Sequence, residues 1–296
     1  LLTANPKTKM TVPSTSEHQT EIVNYYHRTE WVYRMFWNLD QSLGIHFGFW
    51  EAGVSNLTEA IVKQNEVMAA MAGITSTDKV LDAGCGVGGS SIWLAKHIGC
   101  DVTGITITPK QVIRANGNAA NNEVSDKVRF EEMDYLHTNF ADETFDVIWA
   151  LESVCHAPDK KDFIKEASRL LKPGGRLIIA DYFQIKQQLS KKEHAELLLN
   201  GFNGWAINSI CDEALFRAAS KDYGFEPIQF LKVNDKVMPS FKKLLRKLYF
   251  WLIPGWLYYK CGGITKTEFM NAYGSYNIAR TLGRIWDYYI FTAIKK

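Results

Sequence analysis

The 296-residue sequence has no CxxC pair. Its five cysteines, Cys85, Cys100, Cys155, Cys211 and Cys261, are scattered. Closely spaced zinc ligands are missing too, so no metal site is expected. An odd number of separated cysteines fits free thiols in a reducing, cytoplasmic setting. A large charge of one sign is also absent: 34 Lys and Arg stand against 32 Asp and Glu, a net +2. Nucleic-acid binding rests on many phosphate contacts, so this balance argues against a nucleic-acid partner. Long apolar runs are lacking as well. The nearest, Leu248 to Tyr259, falls short of the roughly 20 residues of a membrane span and contains Pro254. Residues 1–20 are polar, include Pro6 and Pro13, and lack the apolar segment of a secretory signal. They are expected to form a flexible tail.

What is present is enough apolar residue, 46% of the chain, to build a sizeable core. Residues 21–55 begin with an aromatic-rich helix over Glu21 to Trp37, whose apolar residues recur every three or four positions. A glycine-containing loop, Gly44 to Trp50, follows. A helix over Asn56 to Ala72 is predicted, capped near Ser55 or Asn56. From Asp78 the chain repeats strand, turn and helix. Strands are predicted at Lys79–Asp82, Asp101–Ile107, Val128–Glu132, Phe145–Leu151 and Arg176–Tyr182. Helices are predicted at Ser90–Ile98, Pro109–Asn121 and Asp159–Leu171. Such alternation implies an α/β fold, a parallel sheet covered on both faces and doubly wound. After Phe183 the pattern is less regular. Helices are expected near Leu189–Asn200 and Ile210–Asp222, and late strands near Phe225–Val233 and Ile285–Ile294. Residues 184–283 therefore read as cap elements mixed with the last strands.

The turn after the first strand reads Leu81-Asp82-Ala83-Gly84-Cys85-Gly86-Val87-Gly88-Gly89. Glycines let backbone approach a ligand closely, and a helix N-terminus adds partial positive charge. On its own the string would suit a dinucleotide enzyme equally well. The strand-four segment Phe145-Asp146-Val147-Ile148-Trp149-Ala150 and the turn Lys172-Pro173-Gly174-Gly175-Arg176-Leu177 accompany it. Together the three resemble the class I S-adenosylmethionine-dependent methyltransferases. The resemblance implies a Rossmann-like, doubly wound seven-stranded sheet over residues 56–296, with an N-terminal lid and a C-terminal cap. It also implies S-adenosylmethionine as cofactor. The backbone of Gly84 and Gly86 would line its amino-acid end, and Asp82 would help bind the methionine ammonium. Asp134, flanked by Met133 and Tyr135, would accept from the adenine amino group, as an ionised carboxylate only accepts. Many class I enzymes hold the ribose with a carboxylate at the end of strand two. Thr106 stands there, a weaker partner, and Gln111 is expected to assist it.

The segment Ala150-Leu151-Glu152-Ser153-Val154-Cys155-His156-Ala157-Pro158 resembles the sterol C-methyltransferases. The loop Ile45-His46-Phe47-Gly48-Phe49-Trp50 resembles one shared by the sterol, tocopherol and cyclopropane-lipid groups. Both imply a large apolar substrate. Tyr25, Tyr26, Phe47 and Trp50 are its candidate contacts, although core packing is the simpler account of most such aromatics. Ring faces stabilise a cation by about 0.5–2 kcal/mol per contact. Methylation of an alkene carbon creates one and then requires a base, and Glu152 and His156 are the candidates. The expected reaction is C-methylation of a sterol or linear terpenoid, with a phenolic or other small natural product as the alternative acceptor. The basic, apolar stretch Phe241 to Trp251 would cover the site, touch a membrane surface or meet a substrate diphosphate.

Overall fold

The computed structural model describes residues 15–199 and 201–296. The tail expected over residues 1–20 lies outside them up to residue 14. From there the expectation is corrected, because α1 (Thr15–Phe36) already includes residues 15–20. A short α2 (Leu39–Ser42) and the loop over residues 43–56 lead into α3 (Leu57–Ala72). The side chain of Asn56 caps α3 by accepting from the Glu59 amide at 3.0 Å.

The alternating core follows as β1 (Lys79–Ala83), α4 (Gly89–His97), β2 (Asp101–Thr106), α5 (Pro109–Asn121), β3 (Val128–Glu132) and β4 (Phe145–Leu151). Then come α6 (Lys160–Leu170) and a long β5 (Leu171–Gln184). The turn Lys172–Gly175 is an excursion within β5, since Phe145 pairs with Leu171 and Val147 with Arg176.

The sheet order is β3-β2-β1-β4-β5-β7-β6, with β6 (Phe225–Lys232) and β7 (Trp286–Lys295) at one side. β1 to β5 are parallel, whereas β7 runs antiparallel to both its neighbours. Hydrophobic clusters fill both faces of the sheet. The chain winds outward from β1 to β3 and returns to β4 on the other side of β1. That reversal opens a crevice beyond the carboxyl ends of β1 and β4, where open α/β sheets bind ligands.

The cap is two separate segments, because α8 (Glu213–Asp222) and the edge strand β6 interrupt it. The first segment holds α7 (Lys191–His194), a π-helical turn and the 3-10 turn Phe202–Trp205. The second holds α9 (Asn234–Lys260) and α10 (Lys266–Thr281). The sequence pattern does not announce α10. Its buried side includes Asn271, Ala272, Gly274 and Ser275, small or polar residues without a strong apolar period. They are small because the backbones meet closely: a Cβ on Gly274 would lie 2.5 Å from the Gly201 carbonyl oxygen.

Candidate active site

β1 ends beneath the glycine turn, where Gly84, Gly86 and Gly88 have φ of 96°, 54° and 87°. These left-handed values favour glycine. Their surroundings differ. A Cβ on Gly84 would lie 2.4 Å from the Cβ of Ser153, whereas one on Gly86 would meet nothing within 4 Å. Both glycines border a cleft with about 990 Å³ of empty space, Gly84 while packed tightly against Ser153 and Gly86 with open space at its Cα. The turn of Leu43 closes on the start of α4, since a Cβ on Gly89 would lie 2.2 Å from the Leu43 oxygen.

Asp82 lies at the cleft floor, 3% exposed, and accepts from the Ser91 hydroxyl at 2.6 Å. Burial pushes its carboxyl up to about 7. At the end of β2 the Thr106 hydroxyl donates to Gln111 Oε1 at 2.8 Å, so the two candidate ribose partners are joined. The buried hydroxyl of Thr108, in the same wall, has no hydrogen-bond partner among the described residues. Asp134 accepts from the Leu136 amide at 2.9 Å through Oδ1 and from the Gln19 side chain at 2.7 Å through Oδ2. Tyr135 lines the cleft and donates to the Ser153 carbonyl at 2.9 Å. Met133 does not line it. Its amide extends the pairing to Thr106 O at 3.0 Å, and its side chain packs in the core. An open backbone at Gly86, a buried acid and an orphaned hydroxyl fit a ligand with an ammonium at one end and polar groups along its length.

Glu152 follows β4 with φ of 49°, an uncommon value for a side-chain-bearing residue. Its Oε1 accepts from the Phe47 amide at 2.9 Å and the Tyr288 hydroxyl at 2.8 Å. Its Oε2 accepts from the Tyr182 hydroxyl. Burial pushes the carboxyl up to about 8 against the pull of these three donors.

His156 occupies the 3-10 turn Val154–His156. Its Nδ1 lies 3.2 Å from the Ala206 carbonyl, which only accepts, so Nδ1 carries the proton. Nε2 is then the acceptor for the Tyr26 hydroxyl at 3.0 Å. Burial lowers the imidazole to about 4, which keeps it neutral. Two groups behind the turn hold it in place. Asp181 accepts from the Cys155 amide at 2.8 Å, and buried Lys160 donates to the carbonyls of Cys155 and Ala157 at 3.0 and 2.6 Å.

A second space, about 430 Å³, lies beyond Glu152. Tyr25, Tyr26, Phe47, Tyr182 and Trp205 line it, and it shares Tyr26, Ile45, Glu152 and His156 with the cleft. Trp50 lines neither space, which corrects its assignment as a substrate contact. Its indole donates to Ser240 Oγ at 2.8 Å, and Lys243 Nζ sits 3.6 Å from its ring centroid. The lysines and arginine of the 241–251 stretch, Lys242, Lys243, Arg246 and Lys247, are exposed on α9 and line neither space.

Tyr182, Tyr288, Trp205 and Gln19 are site residues that sequence reasoning missed. So is the pair behind Glu152, in which Gln64 donates to the Tyr288 hydroxyl at 2.9 Å and lies 3.2 Å from His46 Nδ1. None belongs to a local motif. They meet only because α1, α3, β5, β7 and the 3-10 turn Phe202–Trp205 converge on the crevice and the chamber beside it.

A family model described as a methyltransferase domain matches residues 81–179. The chain is 36% identical over 207 residues to the 27-O-demethylrifamycin SV methyltransferase of Amycolatopsis mediterranei, covering 69% of this chain and 75% of that protein. It is 30% identical over 212 residues to the sterol 24-C-methyltransferase ERG6 of Saccharomyces cerevisiae, covering 71% of this chain and 55% of that one. The geranyl diphosphate C-methyltransferase from Streptomyces coelicolor A3(2) shares the fold, with a TM-score of 0.73 at 19% identity over 96% of this chain and 100% of that one. The chain belongs to the class I S-adenosylmethionine-dependent methyltransferases. It is an enzyme, and S-adenosylmethionine is its cofactor.

Proposed function

We propose that the enzyme methylates a carbon of a neutral, apolar isoprenoid-type substrate, a sterol or a linear terpenoid, and then removes a proton from it. One observation carries this reading: a buried carboxylate, Glu152, set in the wall of an aromatic chamber that opens onto the cofactor cleft.

Asp82, Gly84 and Gly86 would hold the amino-acid end of the cofactor, Thr106 and Gln111 the ribose, and Asp134 the adenine. S-adenosylmethionine supplies an electrophilic methyl group on a sulfonium. An alkene that forms the new carbon–carbon bond with its π electrons is left with a carbocation on the adjacent carbon. The rings of Phe47, Tyr182 and Trp205 stabilise positive charge in the chamber. Glu152 takes a proton from a neighbouring carbon, and the electrons of that C–H bond restore a double bond. Burial makes Glu152 a stronger base than an exposed carboxylate, and a nearby cation favours its ionised form. Among the described residues no Lys or Arg lines either space, which favours a neutral acceptor over a diphosphate. The sterol-methylating relative supports the same class.

A second reading has its own observation. The unprotonated Nε2 of His156 faces the Tyr26 hydroxyl where the two spaces meet, and in this reading it takes the proton of a phenol that displaces that hydroxyl. The rifamycin-named relative belongs with this alternative, methylation of a phenolic or other small natural product. Incubation with methyl-labelled S-adenosylmethionine and a panel of sterols, linear terpenoids, prenylated phenols and simple phenols tests both. Label on an isoprenoid carbon supports the first. Label confined to a phenolic ring or heteroatom replaces it with the second.

A further inference from the structure

The C-terminal half of α9 exposes large apolar side chains that none of the described residues covers. Tyr249 and Phe250 are each 73% exposed and Ile253 is 72% exposed, with Trp256 and Leu257 beside them at 44% and 52%. Scattered exposed hydrophobics are ordinary, but a contiguous set is not. At 3.6 residues per turn, positions 249, 250, 253, 256 and 257 fall on one side of the helix. Positions 242 and 246 continue that side toward the N-terminus, Lys243 lies at its edge, and Lys260 ends it. The exposed face therefore has basic turns, then apolar turns, then a further cation. From Lys236 through Lys266 the chain carries seven Lys or Arg, the two ends included, and no Asp or Glu.

The opposite side of α9 is firmly seated. Val237, Phe241, Leu244 and Leu248 are buried, and the Phe241 ring stacks on Phe47 with centroids 4.0 Å apart. The amphipathic division is thus not a loosely packed helix waiting for a place in the core. Among the described residues no helix is long and apolar enough to cross a bilayer, so the face suits the plane of a lipid surface and not its interior.

We propose that this face of α9 docks on an anionic lipid bilayer. Tyr249, Phe250, Ile253 and Leu257 enter the boundary between headgroups and acyl chains, and Lys242 and Arg246 lie over acidic headgroups. The absence of acidic residues over 31 positions is the complementarity that selects an anionic lipid over a protein partner of mixed charge. The consequence reaches the site through α10, which packs against α9 and contributes Asn271 and Ser275 to the aromatic chamber. Docking places that cap against the phase in which an apolar acceptor dissolves. The inference rests on the surface of α9 and stands whichever acceptor is methylated.

Co-sedimentation of the full chain with vesicles tests it. Vesicles of phosphatidylcholine with about one third phosphatidylglycerol are expected to pull the protein down, and pure phosphatidylcholine to bind at least about tenfold less. High salt weakens the binding. A Phe250→Glu, Ile253→Glu variant is expected to lose at least about tenfold in bound fraction. Neutralising Lys242 or Arg246 with serine is expected to reduce binding about fivefold each. Unchanged melting temperature and S-adenosylhomocysteine affinity show that the variants are folded. No sedimentation with anionic vesicles, or equal sedimentation of the glutamate variant, overturns the proposal. So does a vesicle-free dimer that the same variant converts to monomer, because a second copy then covers the face.

Discussion

The hydroxyl of Tyr288, on β7, donates to the carboxylate of Glu152, at the end of β4, at 2.8 Å across 136 residues of sequence. Tyr182 on β5 and the amide of Phe47 complete three donors on one buried carboxylate. Two influences oppose each other there. Removal from water favours the neutral acid, and three donors favour the anion. Burial dominates in the free protein, and positive charge brought into the chamber would tip the balance toward the anion.

The balance has a signature in stability. Glu152 titrates near 4.5 when exposed and near 8 when buried in the fold. A raised folded value contributes stability that is fully present below about 4.5 and is lost as pH rises through about 8. Glu152→Gln cannot ionise. Its melting temperature relative to the natural protein is therefore expected to climb by several degrees between pH 5 and 8 and level off above. A pH-independent difference in paired thermal melts would mean that the three donors already hold the anion. The same variant is expected to lose about 10²–10⁴-fold in turnover while still binding S-adenosylhomocysteine.

Asp82 is expected to make cofactor binding itself pH-dependent. Burial raises its carboxyl to about 7, and the ammonium of the cofactor favours the ionised form. Binding at pH 6 must therefore release a proton, and affinity is expected to rise as pH goes from 6 to 8. Calorimetry in buffers of different ionisation enthalpy reads that proton directly. Asp82→Asn is expected to bind several-fold more weakly at pH 8 and to show no rise with pH. A natural protein whose affinity is flat over this range would remove Asp82 from the ammonium site.

The glycine turn separates packing from binding. Gly84→Ala combines φ of 96° with a Cβ 2.4 Å from that of Ser153, so a loss of several kcal/mol in stability is expected. Gly86→Ala meets only open space, and its left-handed backbone costs roughly 1–2 kcal/mol. Its larger effect is expected on cofactor affinity, because the added methyl enters the cleft. Chemical denaturation and titration with S-adenosylhomocysteine on both variants check the division. Equal stability losses would show that the two glycines do the same work.

The legible and the hidden parts of this molecule divide along the same line as local and long-range order. From Lys79 to Leu151 each strand lies within a residue or two of its reading, because apolar runs, glycine turns and helical periods are all local signals. The glycine turn, Asp134, Glu152 and His156 stand out as candidates because they sit on or just after those strands, and the structure brings them to one cleft. Tyr288 and Tyr182 read as ordinary strand aromatics, and only the pairing of β5 with β7 brings their hydroxyls to Glu152. Gln19 reads as tail, since its contact with Asp134 spans 115 residues. Trp50 misleads for the same reason. It shares a motif with Phe47, but its backbone amide donates to the Lys236 carbonyl and its indole to Ser240, which hold it against α9.

That last contrast is testable within one loop. Phe47 stacks on Phe241 and lines the chamber, while Trp50 bonds Ser240 and lies under Lys243. Trp50→Phe removes one partly buried hydrogen bond and weakens the cation–π contact, a loss of about 1–2 kcal/mol in stability. Its kcat/KM for an apolar acceptor is expected to stay within about twofold. Phe47→Leu keeps the backbone donor to Glu152 and a similar volume but removes the aromatic face. Its kcat/KM is expected to fall about fivefold or more, the worth of about 1 kcal/mol of cation stabilisation in the chamber. If Trp50→Phe shows the larger kinetic effect, the acceptor approaches along α9 and not between Tyr26 and Tyr182. Equal and small effects from both would leave Glu152 without an aromatic wall that contributes to the chemistry, and would favour the phenolic acceptor at His156.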